Sequence, residues 1–268
     1  MPGHGAPRHP LIKRIARWPT EWLFPRRCPI SGEALPADTV LSSTGFRRLT
    51  FLGAPGCVQC GMPFAHSGAA APLCVACAGP PASLYNLCAG RKLDRIRTAL
   101  VYDKVSAPLI LGLKYGDRHD IGLALGALMR GPVQALEPDP DTLVVPVPLH
   151  PERLRMRRFN QSAVLARALV KGTGLKVAPQ AVRRIKATPQ QKGRGFEGRF
   201  RNIAGAFEAD PAVNGRSIVL VDDVLTSGAT LVGAARALRK AGASNVAAVT
   251  ATRVVPNTKD PDIDLPEL

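Results

Sequence analysis

The stretch Ile218-Val-Leu-Val-Asp-Asp-Val-Leu-Thr-Ser-Gly-Ala-Thr230 decides the fold of this 268-residue chain. Its apolar residues predict a buried strand that runs directly into two carboxylates, Asp222 and Asp223. A short loop of small and hydroxyl-bearing residues follows, and an alanine-rich helix is predicted from about Gly228 to Ala241. A strand, a loop and a helix in this order indicate an α/β unit, in which ligands bind at the carboxyl ends of the strands.

This segment has the groups that a sugar phosphate requires. The carboxylates of Asp222 and Asp223 can accept hydrogen bonds from two vicinal ribose hydroxyls. The N–H groups and hydroxyls of the loop can surround a phosphate, whose charge the helix dipole favours. The loop residues are Thr226, Ser227, Gly228, Ala229 and Thr230. An ordinary strand–turn–helix unit with an acidic turn is the alternative interpretation.

Strand and helix patterns alternate from Leu93 onward, which predicts a parallel sheet with helices on both faces. Strands are predicted at residues 98–102, 142–147, 217–221 and 246–251, and helices at 107–115, 121–129 and 161–173. By composition the chain divides into a basic arm (1–27), a cysteine-containing module (28–90), an α/β domain (91–255) and an acidic tail (256–268). We expect the tail to be disordered, because it is acidic, rich in proline and without periodicity.

Four cysteines form two C-x-x-C knuckles, Cys57 with Cys60 and Cys74 with Cys77. Four thiolates with this spacing can surround one Zn²⁺ tetrahedrally. The site would be structural, because four protein ligands leave no open coordination position. A pair of disulfides is the alternative, which paired knuckles in a Pro- and Gly-rich segment disfavour.

Composition and charge limit the class of protein. Hydrophobic residues make up 46% of the chain, enough for a sizeable core, and no run of 18 apolar residues predicts a transmembrane segment. The net charge is +16, and residues 151–205 carry fourteen Lys or Arg against two acidic residues, a net charge of +12. Such a segment favours a phosphate substrate or a polyanion, or else it is a solvated surface. We expect a cytoplasmic protein whose arm is a terminal extension or, alternatively, a peripheral contact at the inner membrane.

Further motifs accompany the knuckles and the 218–230 segment: Leu113-Lys-Tyr-Gly116, Pro146-Val-Pro-Leu-His150, Arg158-Phe-Asn-Gln161 and Arg199-Phe-Arg-Asn202. Together, over about residues 20–255, they resemble the ComF family of bacterial phosphoribosyltransferase-like proteins, some of which are required for DNA uptake in natural competence. The resemblance implies a type I phosphoribosyltransferase fold, in which a parallel sheet is flanked by helices. It also implies a small N-terminal zinc-ribbon module with a four-cysteine site.

The resemblance implies a ligand and roles for particular residues. The ligand would be 5-phosphoribosyl-1-pyrophosphate (PRPP) with Mg²⁺, or a related ribose phosphate. Asp222 and Asp223 would be the catalytic pair that holds the ribose, and residues 226–230 would bind the 5′-phosphate. A mobile basic loop over residues 183–201 would close over the ligand. The candidates for contact with the ligand, either at the pyrophosphate or from the mobile loop, are His150, Arg153, Arg157 and Arg199.

Other residues receive structural roles. Asn160 and Gln161 are predicted to cap the helix that follows, and Tyr115 is predicted to pack in the core. Where relatives carry a further set of cysteines, this chain keeps Cys28 and has Ser31 three residues later. We therefore expect one zinc site and not two, with Cys88 as a small buried residue.

Two functions remain open at this point. The chain could be an enzyme that transfers phosphoribosyl to an unidentified acceptor. Alternatively, it could be a single-stranded-DNA-binding accessory of the competence machinery, with a pocket that is non-catalytic or senses PRPP. The complete 218–230 segment favours the first function, and the basic segment favours the second.

Overall fold

The computed structural model describes residues 26–36, 39–64, 72–81, 83, 86–90, 92–116, 118–187 and 196–255. By its internal contacts the chain forms two compact units, Met1–Arg48 and Leu49–Leu268. The acidic tail and all but the last two residues of the basic arm lie outside the described residues. The segment boundaries expected from composition therefore stay predictions.

A parallel five-stranded sheet is the centre of the second unit. Its order is β1-β7-β6-β2-β3, and every neighbouring pair is parallel. A separate antiparallel pair is formed by β4 and β5. The strands are β1 (Ile96–Val101), β2 (Leu143–Pro146), β3 (Lys176–Val177), β4 (Val182–Arg184), β5 (Phe207–Ala209), β6 (Ser217–Leu225) and β7 (Asn245–Arg253).

Helices cover the sheet, as a parallel sheet with apolar strands requires. Packing of α4 on α7 and of α9 on β5 and β7 buries the apolar faces of these helices. The helices are α1 (Ser43–Arg47) in the first unit, and α2 (Val75–Ala78), α3 (Ala107–Tyr115), α4 (His119–Leu128), α5 (Arg130–Gln134), α6 (Pro151–Arg157), α7 (Gln161–Leu169), α8 (Phe196–Ile203) and α9 (Ala229–Lys240) in the second. None of the helices in the described part of the chain combines the length and apolar character of a membrane span.

The connections of β2 and β6 leave these neighbouring strands in opposite directions. From β2 the chain passes through α6 and α7 to β3, and from β6 it passes through α9 to β7 on the other side. In an open parallel sheet such a switch point leaves a crevice at the carboxyl ends of the two strands. Residues 147–150 and 226–228 follow these two ends, so the fold brings the two motifs together.

The expected α/β class and parallel sheet are confirmed. One expectation is wrong in part: the segment predicted as a mobile loop contains β4 and α8, and only residues 188–195 within it lie outside the described residues. Phe200 and Ile203 on α8 are buried, and the apolar burial of these side chains fixes the helix. The predicted core position of Tyr115 is also wrong, because its side chain is 59% exposed at the end of α3.

Candidate ribose-phosphate site and metal centre

The two predicted carboxylates lie on β6, and their environments differ. Successive side chains of a strand point to opposite faces, so Asp222 and Asp223 do not share one set of partners. Asp222 is half-buried and accepts a hydrogen bond from Ser162 Oγ, 3.0 Å from Oδ1. Its Oδ1 also accepts the N–H of Asp223 at 3.0 Å. Ser162 lies in the first turn of α7, which therefore faces the crevice.

Asp223 forms a buried ion pair with Lys114, near the end of α3. The Lys114 Nζ lies 3.3 Å from Asp223 Oδ2, and the two side chains are 1% and 5% exposed. Removing one member of such a pair leaves a buried charge without compensation, at a cost of about 3–5 kcal/mol. The two acids that the sequence analysis treated alike are thus one crevice-facing carboxylate and one internal ion-pair partner.

The electrostatics of the pair raise the pKa of Asp222. Burial disfavours its charge and the neighbouring Asp223 repels it, which raises the pKa to about 7, although the Ser162 hydrogen bond opposes this shift. Below that pH the group carries a proton, and above it the carboxylate accepts hydrogen bonds only. A carboxyl group that ionises near neutrality at the mouth of a crevice is a feature of ligand-binding and catalytic sites.

The loop after β2 forms the facing wall of the crevice. Val147 continues the sheet through its N–H, which donates to Val221 at 2.9 Å, and its carbonyl accepts from Asn160 Nδ2 at 3.0 Å. Asn160 also caps α7, since its Oδ1 accepts the N–H of Ser162 at 3.0 Å. The predicted capping role of Asn160 is therefore confirmed, whereas Gln161 is a buried residue inside the helix.

The predicted basic residues of this wall have different surroundings. His150 caps α6 by accepting the N–H of Glu152 on Nδ1 at 3.4 Å. Arg157 stacks on Tyr115, with its Cζ 5.3 Å from the ring centre, and donates to the hydroxyl at 3.4 Å. Arg153 is half-buried, and burial together with the charge of Arg157 lowers its pKa.

Arg184 at the end of β4 is a member of this group that the sequence did not single out. Its Cζ lies 5.6 Å from the ring centre of Phe207. Burial and the charge of Arg153 lower its pKa to about 10, and the charge of Asp222 opposes that shift. Two partly buried guanidinium groups that repel each other are relieved when an anion binds between them. The arrangement is therefore suited to a phosphate or pyrophosphate.

The predicted phosphate loop has the expected local form. Gly228 has a φ of 74° and precedes α9, so Ala229 and Thr230 begin the helix. First-turn amides of a helix have no partner within the helix and can donate to an anion. Thr226 and Thr230 are half-buried, and Ser227 is 9% exposed, with its Oγ accepting the N–H of Ala229 at 3.4 Å.

Arg199, the remaining predicted candidate, belongs to a different element from the loop after β2. It lies half-buried on α8, a helix that packs on α9. Within the described part of the chain no ion pair involves it. Ser162 and Arg184 were missed, because Ser162 follows a helix cap and Arg184 lies in a generally basic stretch. No local pattern distinguishes either residue from its neighbours.

The four knuckle cysteines lie together at the metal centre. Their Sγ atoms are all within 4.8 Å of one another, with Cys60 and Cys74 3.5 Å apart, and all four are free thiols. Zinc with Zn–S bonds of about 2.3 Å requires S···S edges of about 3.8 Å, so the four residues fit Zn²⁺. The thiols are not paired in disulfides here, and this arrangement favours zinc over the disulfide alternative.

The first unit has the backbone geometry of the metal centre but only one of the four cysteines. The backbone positions of Cys57, Cys60, Cys74 and Cys77 correspond to Cys28, Ser31, Ser42 and Gly45. The hydroxyls of Ser31 and Ser42 lie 2.8 Å apart, and a Cβ added to Gly45 would meet Cys28 Sγ at 2.6 Å. One thiol, two paired hydroxyls and a glycine do not fit a zinc ion.

Two family models match parts of the chain. A model of the phosphoribosyl transferase domain matches residues 162–265, and one of the double zinc ribbon domain matches residues 20–78. Among solved structures, a glutamine PRPP amidotransferase from B. subtilis, complexed with ADP and GMP, is 20% identical. That likeness covers 53% of this chain and 30% of the other, with a TM-score of 0.35.

Two curated relatives share most of their length with the chain. The DNA utilization protein YhgH of Escherichia coli (strain K12) is 33% identical over 197 residues, which cover 71% of this chain and 80% of the relative. The competence protein ComFC of Bacillus subtilis (strain 168) is 28% identical over 199 residues, which cover 70% and 79%. On these matches, the sheet topology and the four-cysteine centre, the chain belongs to the ComF family of phosphoribosyltransferase-domain proteins with an N-terminal zinc ribbon.

Proposed function

We propose that the crevice between β2 and β6 binds PRPP, or a related ribose phosphate, and transfers its phosphoribosyl group to an unidentified acceptor. The observation that carries the proposal is the placement of Asp222. It lies at the switch point of the sheet, held by Ser162, with the 226–230 loop after it and with Arg153 and Arg184 near it. The crevice thus offers a hydrogen-bond acceptor for the ribose hydroxyls beside donors for the 5′-phosphate and for the pyrophosphate.

Each part of the ligand has a proposed partner. Asp222 would accept hydrogen bonds from the ribose, and residues 226–230 would hold the 5′-phosphate. Arg153 and Arg184 would face the pyrophosphate, whose departure needs a stabilising positive charge. Asp223 would act through Lys114, as a positioning residue that fixes the end of β6.

Two ions belong to this proposal. Zn²⁺ at the four-cysteine centre would be structural. Mg²⁺ would arrive with PRPP, held largely by the ligand's oxygens and water, and would neutralise part of the pyrophosphate charge. The protein would act in the cytoplasm, a reducing compartment in which the four cysteines stay available to zinc.

Calorimetric titration with Mg²⁺-PRPP tests the proposal. Asp222→Asn should weaken binding about 10- to 100-fold, because a charge-assisted hydrogen bond contributes about 1.5–3 kcal/mol. Asp210→Asn is the matched control, since Asp210 is an exposed cap at the start of a 3-10 turn after β5. Asp223 is left unchanged in this test, because Asp223→Asn would leave the buried charge of Lys114 without its partner. Equal binding by the wild type and Asp222→Asn would place the ligand elsewhere.

The pH dependence provides a second test of the same site. Asp222 has a raised pKa of about 7, so the ionised acceptor appears as pH rises from 6 to 8. Wild-type affinity for Mg²⁺-PRPP should increase over that range. The phosphates of the ligand also titrate over that pH range. The pH profile of Asp222→Asn measures their contribution to the change in affinity. An identical pH profile in both proteins would contradict a role for Asp222.

A second candidate function is single-stranded DNA binding, in support of a competence machinery. It is favoured by exposed basic side chains on α6, β4 and α8 and just after α6 and β4: Arg155, Arg158, Arg183, Lys186 and Arg201. The names of the two relatives, a DNA utilization protein and a competence protein, support it as well. Arg199→Ala with Arg201→Ala should reduce the salt slope of binding by about one to two units, at ~0.7 per phosphate contact. No DNA binding at low salt would remove this candidate.

A further inference from the structure

Two connections run from the metal-ligand residues to the phosphate loop after β6. In the first, Arg253, the last residue of β7, donates from Nη1 to the carbonyl oxygen of Cys60. Arg253 is only 6% exposed. The next residue, Val254, donates its N–H to the carbonyl of Leu225 at 3.0 Å. Consecutive residues therefore hold a zinc-ligand residue and the last residue of β6.

The second connection starts from the other knuckle. Asn86, which is 2% exposed, donates from Nδ2 to the carbonyls of Cys77 and Gly79, both at 3.1 Å. Leu87 follows, and its side chain lies against Gly228: a Cβ added there would be 2.5 Å from Leu87 Cδ1. The apolar side chain therefore covers the one position of the loop that has a left-handed backbone conformation.

The segment that carries Leu87 is itself held firmly. Lys92 Nζ donates to the carbonyl of Asn86 at 2.7 Å and to that of Ser83 at 2.9 Å. Loops between strand and helix are ordinarily among the least stable parts of a domain. Here the strand end before the phosphate loop is bonded at Leu225, and the loop is covered at Gly228. In each case the residue next to the contacting residue bonds the carbonyl of a zinc-ligand residue.

We propose that the four-cysteine centre braces the phosphate loop, so that zinc binding and ribose-phosphate binding are coupled through Leu87 and through Arg253 with Val254. The metal fixes the carbonyls of Cys60 and Cys77, and these fix the loop in its ligand-binding shape. For its ligand this inference rests on the proposed function. By linkage, PRPP must strengthen zinc retention by the same factor by which zinc strengthens PRPP binding.

Hydrogen exchange tests the brace without any ligand. Leu87→Ala should keep one equivalent of zinc, yet the amides of residues 225–231 should exchange about tenfold faster or more. Removal of zinc from the wild type should have the same effect on that loop. Leu238→Ala is the matched control, because it truncates a fully buried leucine at the far end of α9. Unchanged loop exchange in both Leu87→Ala and zinc-free wild type would overturn the brace.

A zinc-transfer experiment tests the coupling. Saturating Mg²⁺-PRPP should raise the concentration of a zinc-selective chelator that removes half of the zinc at equilibrium, about fivefold or more, in the wild type and in Leu238→Ala, but not in Leu87→Ala. PRPP binding without protection of zinc would overturn the coupling. If the wild type does not bind PRPP, the proposed function fails, and the exchange measurement still decides whether the metal braces the loop.

Discussion

The two ribbons of this chain have matching backbones and different centres. In the first, Gly32 has a φ of 75° and donates to the carbonyl of Cys28 at 2.9 Å; in the second, Gly61 has a φ of 68° and donates to that of Cys57 at 2.9 Å. The residues that precede α1 and α2 have φ/ψ of −73°/161° and −73°/162°. The comparison teaches that turn and cap geometry set the ribbon shape, whereas the side chains decide whether a metal holds it.

The centres differ because hydrogen bonds replace ligands in the first ribbon. The Ser42 hydroxyl accepts the N–H of Gly45 at 3.0 Å and is paired with Ser31. Burial raises the pKa of the neighbouring Cys28, but hydrogen bonds with Ser31 and Ser42 outweigh it and lower the pKa to about 6. The first ribbon is thus stabilised by local polar contacts and not by a metal.

The largest expected effect is a gain of metal. Ser31→Cys, Ser42→Cys and Gly45→Cys together restore four thiols on a backbone that already matches the second ribbon. We expect two equivalents of zinc per chain in the triple variant and one in the wild type, measured by elemental analysis. The Cys28 side chain must rotate to admit the new thiol at position 45. A variant that retains one equivalent would show that the resemblance of the two backbones is not sufficient for coordination.

A smaller effect is expected from removing one corresponding cysteine from each ribbon. Cys57→Ser should release the zinc and expose residues 56–64 and 72–78 to proteolysis, since metal binding supplies much of a small module's folding free energy. Cys28→Ser should cost about 1 kcal/mol, because a hydroxyl can keep the hydrogen bonds that the thiol makes. Limited proteolysis with zinc analysis measures both. Equal sensitivity of the two ribbons would contradict a metal-free first ribbon.

The smallest effect is expected at the two turn glycines. Alanine in a left-handed conformation costs about 1–2 kcal/mol at either position. A Cβ on Gly61 would also meet the carbonyl oxygen of Ile96 at 3.0 Å, whereas none is met within 4 Å at Gly32. Gly61→Ala should therefore lower the free energy of unfolding more than Gly32→Ala, as measured by denaturant titration. Equal losses would mean that the contact with β1 is easily relieved, and the reverse order would contradict the prediction.

The contact at Ile96 is one of several between the second ribbon and the sheet. The first knuckle of this ribbon is bonded to β1, where the N–H of Ile96 donates to Gln59 at 2.8 Å and Arg97 donates to Val58 at 2.9 Å. Distortion of this knuckle would therefore disturb the sheet and the phosphate loop.

Local patterns were sufficient for much of the molecule. The apolar run before Asp222, the alternation of strands and helices, and the paired knuckles each depend on residues close in sequence, so fold class and metal ligands could be predicted. The helix at residues 107–115 was predicted with the observed bounds. Strand β6 was predicted to end before the carboxylates, but pairing with β7 extends it to Leu225.

Tertiary structure alone decided the roles within the site. Asp222 and Asp223 are adjacent and chemically identical, and only the packing of α7 and α3 near the end of β6 gives them Ser162 and Lys114, respectively, as partners. Arg184 and Leu87 are far in sequence from β6, and no local periodicity indicates that they lie at the crevice. Sequence determines short-range geometry because that geometry depends on backbone preference and burial pattern. Partners and pKa values depend on which distant side chains meet, and that is decided when the core closes.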